Sequence, residues 1–318
     1  MTLQIEFLIS LILIAILMSS ALAPLESLTW WAGWFGEEEE LDELDREHTG
    51  TAGDAIHARA YIVYLTGIGG FSENSFLPRE QRLLDELTKR LDNVVVVDDI
   101  YPYSVTNNGL IDHRIFSGFW NWTVRQKEAG RPLGFLINIR NVLQVLVAAD
   151  NRYGPLYAHG IAQVVFDGLL RNGYQPQSKI PIYLIGYSGG GEMSISAVGP
   201  LMQSSGAPVT VISLGGVMSS DPNLEDIEHL YHLHGEKDRV HKLGPLLFPG
   251  RWRWITRSSW NQAMRDNRIT MVSMGDMAHN GPGGYLDNEA FLASGESYLD
   301  KTLATIHDIV TPDKGKKV

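Results

Sequence analysis

The sequence predicts an α/β protein built on a mostly parallel sheet, and three observations carry that prediction. Short β-branched runs recur along the chain, stretches with helical apolar spacing separate them, and several of the runs end abruptly in glycine. Ala60 to Thr66 (AYIVYLT) is the first buried-strand run, and Gly67-Ile68-Gly69-Gly70 ends it. Leu83, Leu84, Leu87 and Leu91 then fall at helical spacing within Pro78 to Asp92, with the proline suited to a first helical turn. Val94 to Val97 (VVVV) reads as a second, fully buried strand ending at Asp98 and Asp99. Strand, helix and strand in this rhythm make a βαβ unit, and the alternation predicts one doubly wound domain from about residue 58 onward.

The interval from Ile100 to Ser178 is too long for one crossover. It holds helical candidates at Ile115 to Glu128, Leu133 to Asp150 and Ala158 to Arg171, so a helical insertion at about 100–155 precedes the next strand. Phe116, Phe119, Trp120 and Trp122 lie close together in the first candidate. They read as core for the extra helices, with a lid over a substrate pocket as the alternative. Ile182 to Tyr187 (IYLIGY) is the next buried strand, followed by a tight turn and a small-residue helix from Glu192. Pro208 to Leu214, His229 to His234 and Arg268 to Met274 complete the strands. A Trp-rich excursion, Leu243 to Asp266, lies before the last strand, and Asn288 to Ile309 is a final helical region.

Composition limits the function. Of 318 residues, 44% are hydrophobic and 20% charged, which is globular usage able to bury a sizeable core. The formal net charge is -11 and no basic block occurs before the tail Lys314 to Lys317, so nucleic acid is not an expected partner. Cysteine is absent, which removes disulfides, thiolate metal sites and a thiol nucleophile.

The first 35 residues have their own character. Phe7 to Leu25 carries no charge over about the length that spans a bilayer, and Trp30, Trp31, Trp34 and Phe35 follow as an interfacial aromatic belt would. The acidic run Glu37 to Glu47 sits in a solvated linker, 36–57, ahead of the folded domain at 58–318. A retained transmembrane anchor is therefore expected, making the chain a single-pass membrane protein. The alternative is a signal peptide cut after Ala21-Leu22-Ala23, against which stand the absence of Lys or Arg before the apolar run and Pro24 just past the cut.

The chemistry is concentrated at Gly186-Tyr187-Ser188-Gly189-Gly190, a G-x-S-x-G turn between a strand and a helix. Such a turn forces the serine into a strained backbone conformation, and glycines two residues to either side clear the space. With this motif the chain resembles the α/β-hydrolase superfamily, most closely its esterase and lipase branches. The resemblance implies the α/β-hydrolase fold and a triad in the order serine, acid, histidine, each on a loop after a strand. Gly-Glu-Lys-Asp238-Arg-Val is similar to the family's acid loop, and Gly-Asp-Met-Ala-His279 to its histidine loop. The implied roles are Ser188 as nucleophile, His279 as general base and then acid, and Asp238 as the orienting carboxylate. Asp221, one strand earlier, is the alternative acid.

Two backbone N–H groups are expected to form an oxyanion hole: Gly189, directly after the nucleophile, and Ile68 in the glycine-rich loop, where Thr66 stands in place of the histidine of many relatives. Glu192 reads as a structural carboxylate meeting the helix N-terminal dipole. Asp276, His232, His234 and His241 read as structural, and Asp98 and Asp99 as strand-end turn residues. No cofactor or metal is expected, since no H-E-x-x-H or comparable ligand cluster appears. The expected activity is hydrolysis of a small-molecule or lipid carboxylic ester through an acyl-enzyme. A catalytically inactive scaffold of the same fold, or an acyltransferase using the same triad, are the alternatives.

Overall fold

A single sheet of six parallel strands organises the domain, in the order β2-β1-β3-β4-β5-β6. The strands are β1 Ala60–Leu65, β2 Val94–Val97, β3 Ile182–Tyr187, β4 Val209–Leu214, β5 His229–His234 and β6 Ile269–Ser273. This computed structural model describes residues 58–72, 76–104 and 117–311, together with isolated positions between 6 and 18. The aromatic belt and the acidic linker lie outside the described residues, as does most of the expected anchor. Among the described residues, no helix is long and apolar enough to cross a membrane.

Alternation along the strands splits the core into two layers. Tyr61, Val63 and Leu65 of β1 face one layer while Ile62 and Tyr64 face the other, and β4 divides Val209 and Val211 from Ile212 and Leu214 in the same way. The first layer is closed by α2 Ser117–Glu128, α3 Phe135–Ala148, α4 Gly154–Arg171, α5 Gly189–Ser205 and α7 Ser259–Arg265. The second is closed by α1 Pro78–Arg90 and α8 Tyr298–Val310. A short helix, α6 Leu243–Leu247, lies in the excursion after β5. The chain starts in the sheet's interior at β1, runs outward to β2, then returns to β3 on the far side of β1. The reversal makes the β1/β3 boundary a topological switch point, where open α/β sheets place their ligands outside the strands' carboxyl ends.

Several expectations needed adjustment. Val94 to Val97 was expected to be buried on both faces, yet only Val97 is buried, because β2 is an edge strand. Helix α4 starts four residues earlier than the apolar spacing suggests, with Pro155 in its first turn, where a missing N–H costs nothing. Asn288 to Ser297 is not helical. Leu292 N–H bonds back to the Glu296 carbonyl, Gly295 has a φ of +86°, and the helix begins only where Ser297 Oγ accepts the Asp300 N–H. In α2, Trp120 is core, with the Arg140 guanidinium 5.9 Å from its ring centroid, whereas Trp122 is exposed. Phe116 lies outside the described residues, and so does the side chain of Phe119.

Candidate active site

Ser188 sits in the sharp turn between β3 and α5 with φ 54° and ψ -119°, outside the regions that side-chain-bearing residues ordinarily occupy. Its N–H is tied to the Leu214 carbonyl of the neighbouring strand at 3.0 Å. The turn needs its flanking glycines for close approach. A Cβ on Gly186 would lie 2.6 Å from the Gly191 Cα, and one on Gly190 would strike the carbonyl oxygens of Leu65 and Thr66 at the end of β1. The sequence rule for the motif is thus met by backbone packing alone.

The structure brings Ser188 together with His279 and Asp238. Ser188 Oγ lies 2.9 Å from His279 Nε2, and His279 Nδ1 lies 2.9 Å from Asp238 Oδ2. The three come from the carboxyl ends of β3, β5 and β6. Asp238 is fully buried; burial opposes its ionisation, but hydrogen bonds from His279 and Tyr285, the nearby imidazole, and a backbone N–H outweigh that and hold its carboxyl below the usual value. Two backbone donors, Val240 N–H at 2.7 Å and His241 N–H at 3.2 Å, reach Oδ1, while the Tyr285 hydroxyl donates to Oδ2 at 2.8 Å. An ionised carboxylate only accepts, so Nδ1 of neutral His279 carries the proton and Nε2 is left to accept from the serine hydroxyl.

Three residues that sequence reasoning missed hold this arrangement. Tyr285 OH also accepts the Gly235 N–H at 2.8 Å, locking the strand end below Asp238 to the loop beyond His279. Tyr187, inside the motif, donates its hydroxyl to the His279 carbonyl at 2.9 Å, and its ring stacks on the imidazole at 5.4 Å. Gly215, with φ +60°, passes where a Cβ would lie 2.7 Å from the Tyr285 ring and 3.1 Å from His279 Nδ1. None lies within a recognised motif role, although the double glycine ending β4 was a visible signal of close approach.

On the other side of Ser188 lies the glycine-rich loop after β1. A Cβ on Gly67 would be 3.3 Å from the Ser188 Cβ, and one on Gly189 would be 2.7 Å from Ile68 Cγ2, so the loop and the helix start are in contact. Gly189 is the first residue of α5, and its N–H therefore has no intrahelical acceptor. The loop's carbonyls are each engaged by a donor. Tyr103 OH donates to Thr66 O at 2.9 Å, Gly70 N–H to Gly67 O at 3.0 Å, and Asn141 Nδ2 to Ile68 O at 2.9 Å and Gly70 O at 2.7 Å. Lys127 Nζ reaches Gly69 O. Buried Glu80 accepts the Thr66 hydroxyl at 2.6 Å. Most of the loop's carbonyls are thus tied to α2, α3 and the 101–104 segment, which holds the loop beside Ser188 and Gly189. Burial lowers the Lys127 ammonium to about 8, against the opposing pull of Glu80.

The rival candidates lie elsewhere. Asp221 is not part of the Ser188–His279 chain: it accepts Ser196 Oγ at 3.0 Å and Asn223 N–H at 2.8 Å, and burial raises its pKa despite them. Glu192 is buried, with Oε2 on the Ser219 N–H at 2.7 Å, and burial together with the Asp221 charge pushes it up to about 8. Glu192 is thus a structural residue, as its sequence position suggests, in surroundings that favour its uncharged form. Asp276 pairs with Lys237 at 3.0 Å and Asp99 with Arg171 at 2.8 Å. His232 contacts Ser213 Oγ at 3.1 Å, and burial takes it well below the ordinary imidazole value. Burial likewise brings His241 down to about 4, against the Asp238 charge. Among the described residues no three His, Asp or Glu side chains converge as a metal site requires.

No protein-family model matches the chain, and no curated protein sequence is significantly similar to it.

Proposed function

We propose that the chain is a serine hydrolase of the α/β-hydrolase fold, acting on carboxylic esters through an acyl-enzyme. The observation that carries this reading is the continuous hydrogen-bonded chain from Ser188 Oγ through His279 to buried, ionised Asp238. In the proposed reaction Ser188 Oγ attacks the ester carbonyl as His279 Nε2 takes its proton. The tetrahedral oxyanion is held by the N–H groups of Gly189 and Ile68. His279 then returns the proton to the leaving alkoxide, and a water repeats both steps to free the acid and regenerate Ser188. Asp238 fixes the imidazole tautomer and stabilises the imidazolium that forms. The position of the site at the β1/β3 switch point supports this reading, as does the tethering of the 67–70 loop by α2 and α3, which gives the helical insertion a positioning role. The uncharged run Phe7 to Leu25 would hold the domain at a membrane, favouring a lipid-borne ester as substrate.

Labelling with a fluorophosphonate tests the central claim. Native protein is expected to label and Ser188→Ala to remain unlabelled, with ester hydrolysis falling by about 10⁴-fold or more in the variant. Absence of labelling in well-folded native protein would sink the enzyme reading. Nitrophenyl esters of increasing chain length, presented with and without detergent, then separate a soluble-ester preference from a lipid one.

A further inference from the structure

The excursion between β5 and β6 combines positive charge with exposed apolar side chains. The protein as a whole has 26 Lys and Arg against 37 Asp and Glu, yet from Arg239 to Arg265 there are six basic residues and no acidic one. Arg239, Arg253 and Arg257 are exposed, and among the described residues none of them is in an ion pair. Between these charges, apolar side chains point outward. Leu246 is 70% exposed and Trp254 71%, with Leu247, Leu243 and Ile255 also on the surface. For large apolar groups, such grouped exposure marks a contact surface.

Contacts within the excursion tie its two halves together. Trp252 Nε1 donates to the Pro245 carbonyl at 2.7 Å, joining the α6 segment to the turn that follows, and the Trp252 and Trp254 rings lie 4.9 Å apart. Beneath them Arg251 is anchored inward, its guanidinium 3.7 Å from the Trp260 ring centroid and in reach of the Met218 carbonyl at 3.3 Å. The chain leaves β5 at His234 and passes through Asp238 before entering the excursion, so the excursion begins next to the candidate site in sequence.

We infer that the 243–255 patch is a docking face for an anionic lipid bilayer, with Leu246, Leu247 and Trp254 entering the headgroup region and Arg253 and Arg257 pairing with lipid phosphates. Tryptophan and leucine flanked by unpaired arginines meet both demands of such an interface, which is apolar just below a negatively charged plane. The chain's own acidic run, Glu37 to Glu47, matches the charge but offers only Leu41 and Leu44 to five exposed apolar side chains. The bilayer is thus the better complement. The inference stands without the hydrolase reading and without the N-terminal anchor, although an anchor would raise the local lipid concentration and let a weak patch dock.

The full chain is reconstituted into vesicles of phosphatidylcholine alone or with phosphatidylglycerol, part of the phosphatidylcholine being brominated to quench tryptophan. Phosphatidylglycerol should bring additional quenching, and Trp254→Phe should remove most of it. The docking constant, read from quenching against phosphatidylglycerol fraction, should fall roughly fivefold for each charge removed in Arg253→Gln and Arg257→Gln. Leu246→Glu should abolish the additional quenching with the melting temperature unchanged, since that side chain is exposed. Quenching that ignores both phosphatidylglycerol and Trp254→Phe overturns the inference. So does shielding of Trp254 from acrylamide in vesicle-free protein that high salt relieves, which would give the face to the acidic run. Loss of a dimer in Leu246→Glu would equally overturn it, by giving the face to a second copy.

Discussion

Asp238 and Asp221 follow neighbouring strands, both are buried, and both accept several hydrogen bonds, yet they are driven in opposite directions. Asp238 collects two backbone N–H groups, a tyrosine hydroxyl and an imidazole, and these hold it ionised against burial. Asp221 has Asn223 and Ser196, but shares its surroundings with Glu192, and burial raises both groups. Around Glu192 the buried Oε1 of that residue, Ser219 Oγ and Arg251 Nε have no hydrogen-bond partner. In one region both carboxylate oxygens are fully satisfied, which rigidifies; in the other Glu192 Oε1 is left unsatisfied, which is costly. Only Asp238 is hydrogen-bonded to the imidazole, so only the first region orients His279.

Substituting each aspartate in turn is the strongest way to break this comparison. Asp238→Asn should lower kcat roughly 10⁴-fold while the protein stays folded, because an amide no longer holds His279 in the tautomer whose Nε2 can accept a proton. Asp221→Asn should change kcat by less than about tenfold and act on stability instead, at about 1–2 kcal/mol through its hydrogen bonds to Ser196 and Asn223. If steady-state kinetics of the two variants showed the reverse ranking, the acid assignment would move to Asp221.

The sequence made much of this readable. Strand order along the chain and the glycine-flanked serine are local signals, set by periodicity and by turn sterics within a few residues, while the loops carrying Asp238 and His279 were readable through their resemblance to family motifs. The choice between Asp238 and Asp221 was readable only as a resemblance, because its physical basis is the set of donors that folding gathers: Tyr285 is 47 residues beyond Asp238. The same holds for the glycine-rich loop after β1, where Asn141 reaches Ile68 across 73 residues of chain. The edge position of Val94 to Val97 could not be read either, since a VVVV run looks the same at an edge as in the middle of a sheet. The structural role of Glu192 was legible from its first-turn position, whereas the upward push on its pKa was not, because that comes from tertiary burial beside Asp221.

The Glu192 region makes its own prediction, on stability and not on rate. The group's value is 4.5 in an unfolded chain and about 8 in the native protein. Between the two the native state keeps a proton that the unfolded state releases, so stability is highest below the lower value, falls as pH rises through the interval, and levels off above the upper one. Asp221 is shifted in the same direction and adds to the decline. Glu192→Gln keeps an acceptor for the Ser219 N–H and cannot ionise, so chemical unfolding followed from about pH 5 to 9 should show a clearly shallower decline. An unchanged slope would mean that Glu192 is already charged in the native protein, and the contrast with Asp238 would disappear.

The finest test lies within the satisfied network. Tyr285 OH donates to Asp238 Oδ2 and accepts the Gly235 N–H, and burial followed by the Asp238 charge raises its pKa, so it remains a donor throughout the working range. Tyr285→Phe keeps the ring against His279 and removes only these two bonds. The Gly235 N–H is left buried without its partner, a loss of about 1–2 kcal/mol in unfolding free energy. Asp238 loses one of the donors that hold it ionised, so its pKa rises and it stays charged only at higher pH than in the native protein. The acid limb of the kcat/KM profile should therefore shift upward, with kcat falling roughly tenfold and KM little changed, because a positioning residue acts on the transition state through the imidazole. A purely structural tyrosine would lower stability equally but leave the profile in place, and that difference decides whether the network around Asp238 serves the chemistry or only the fold.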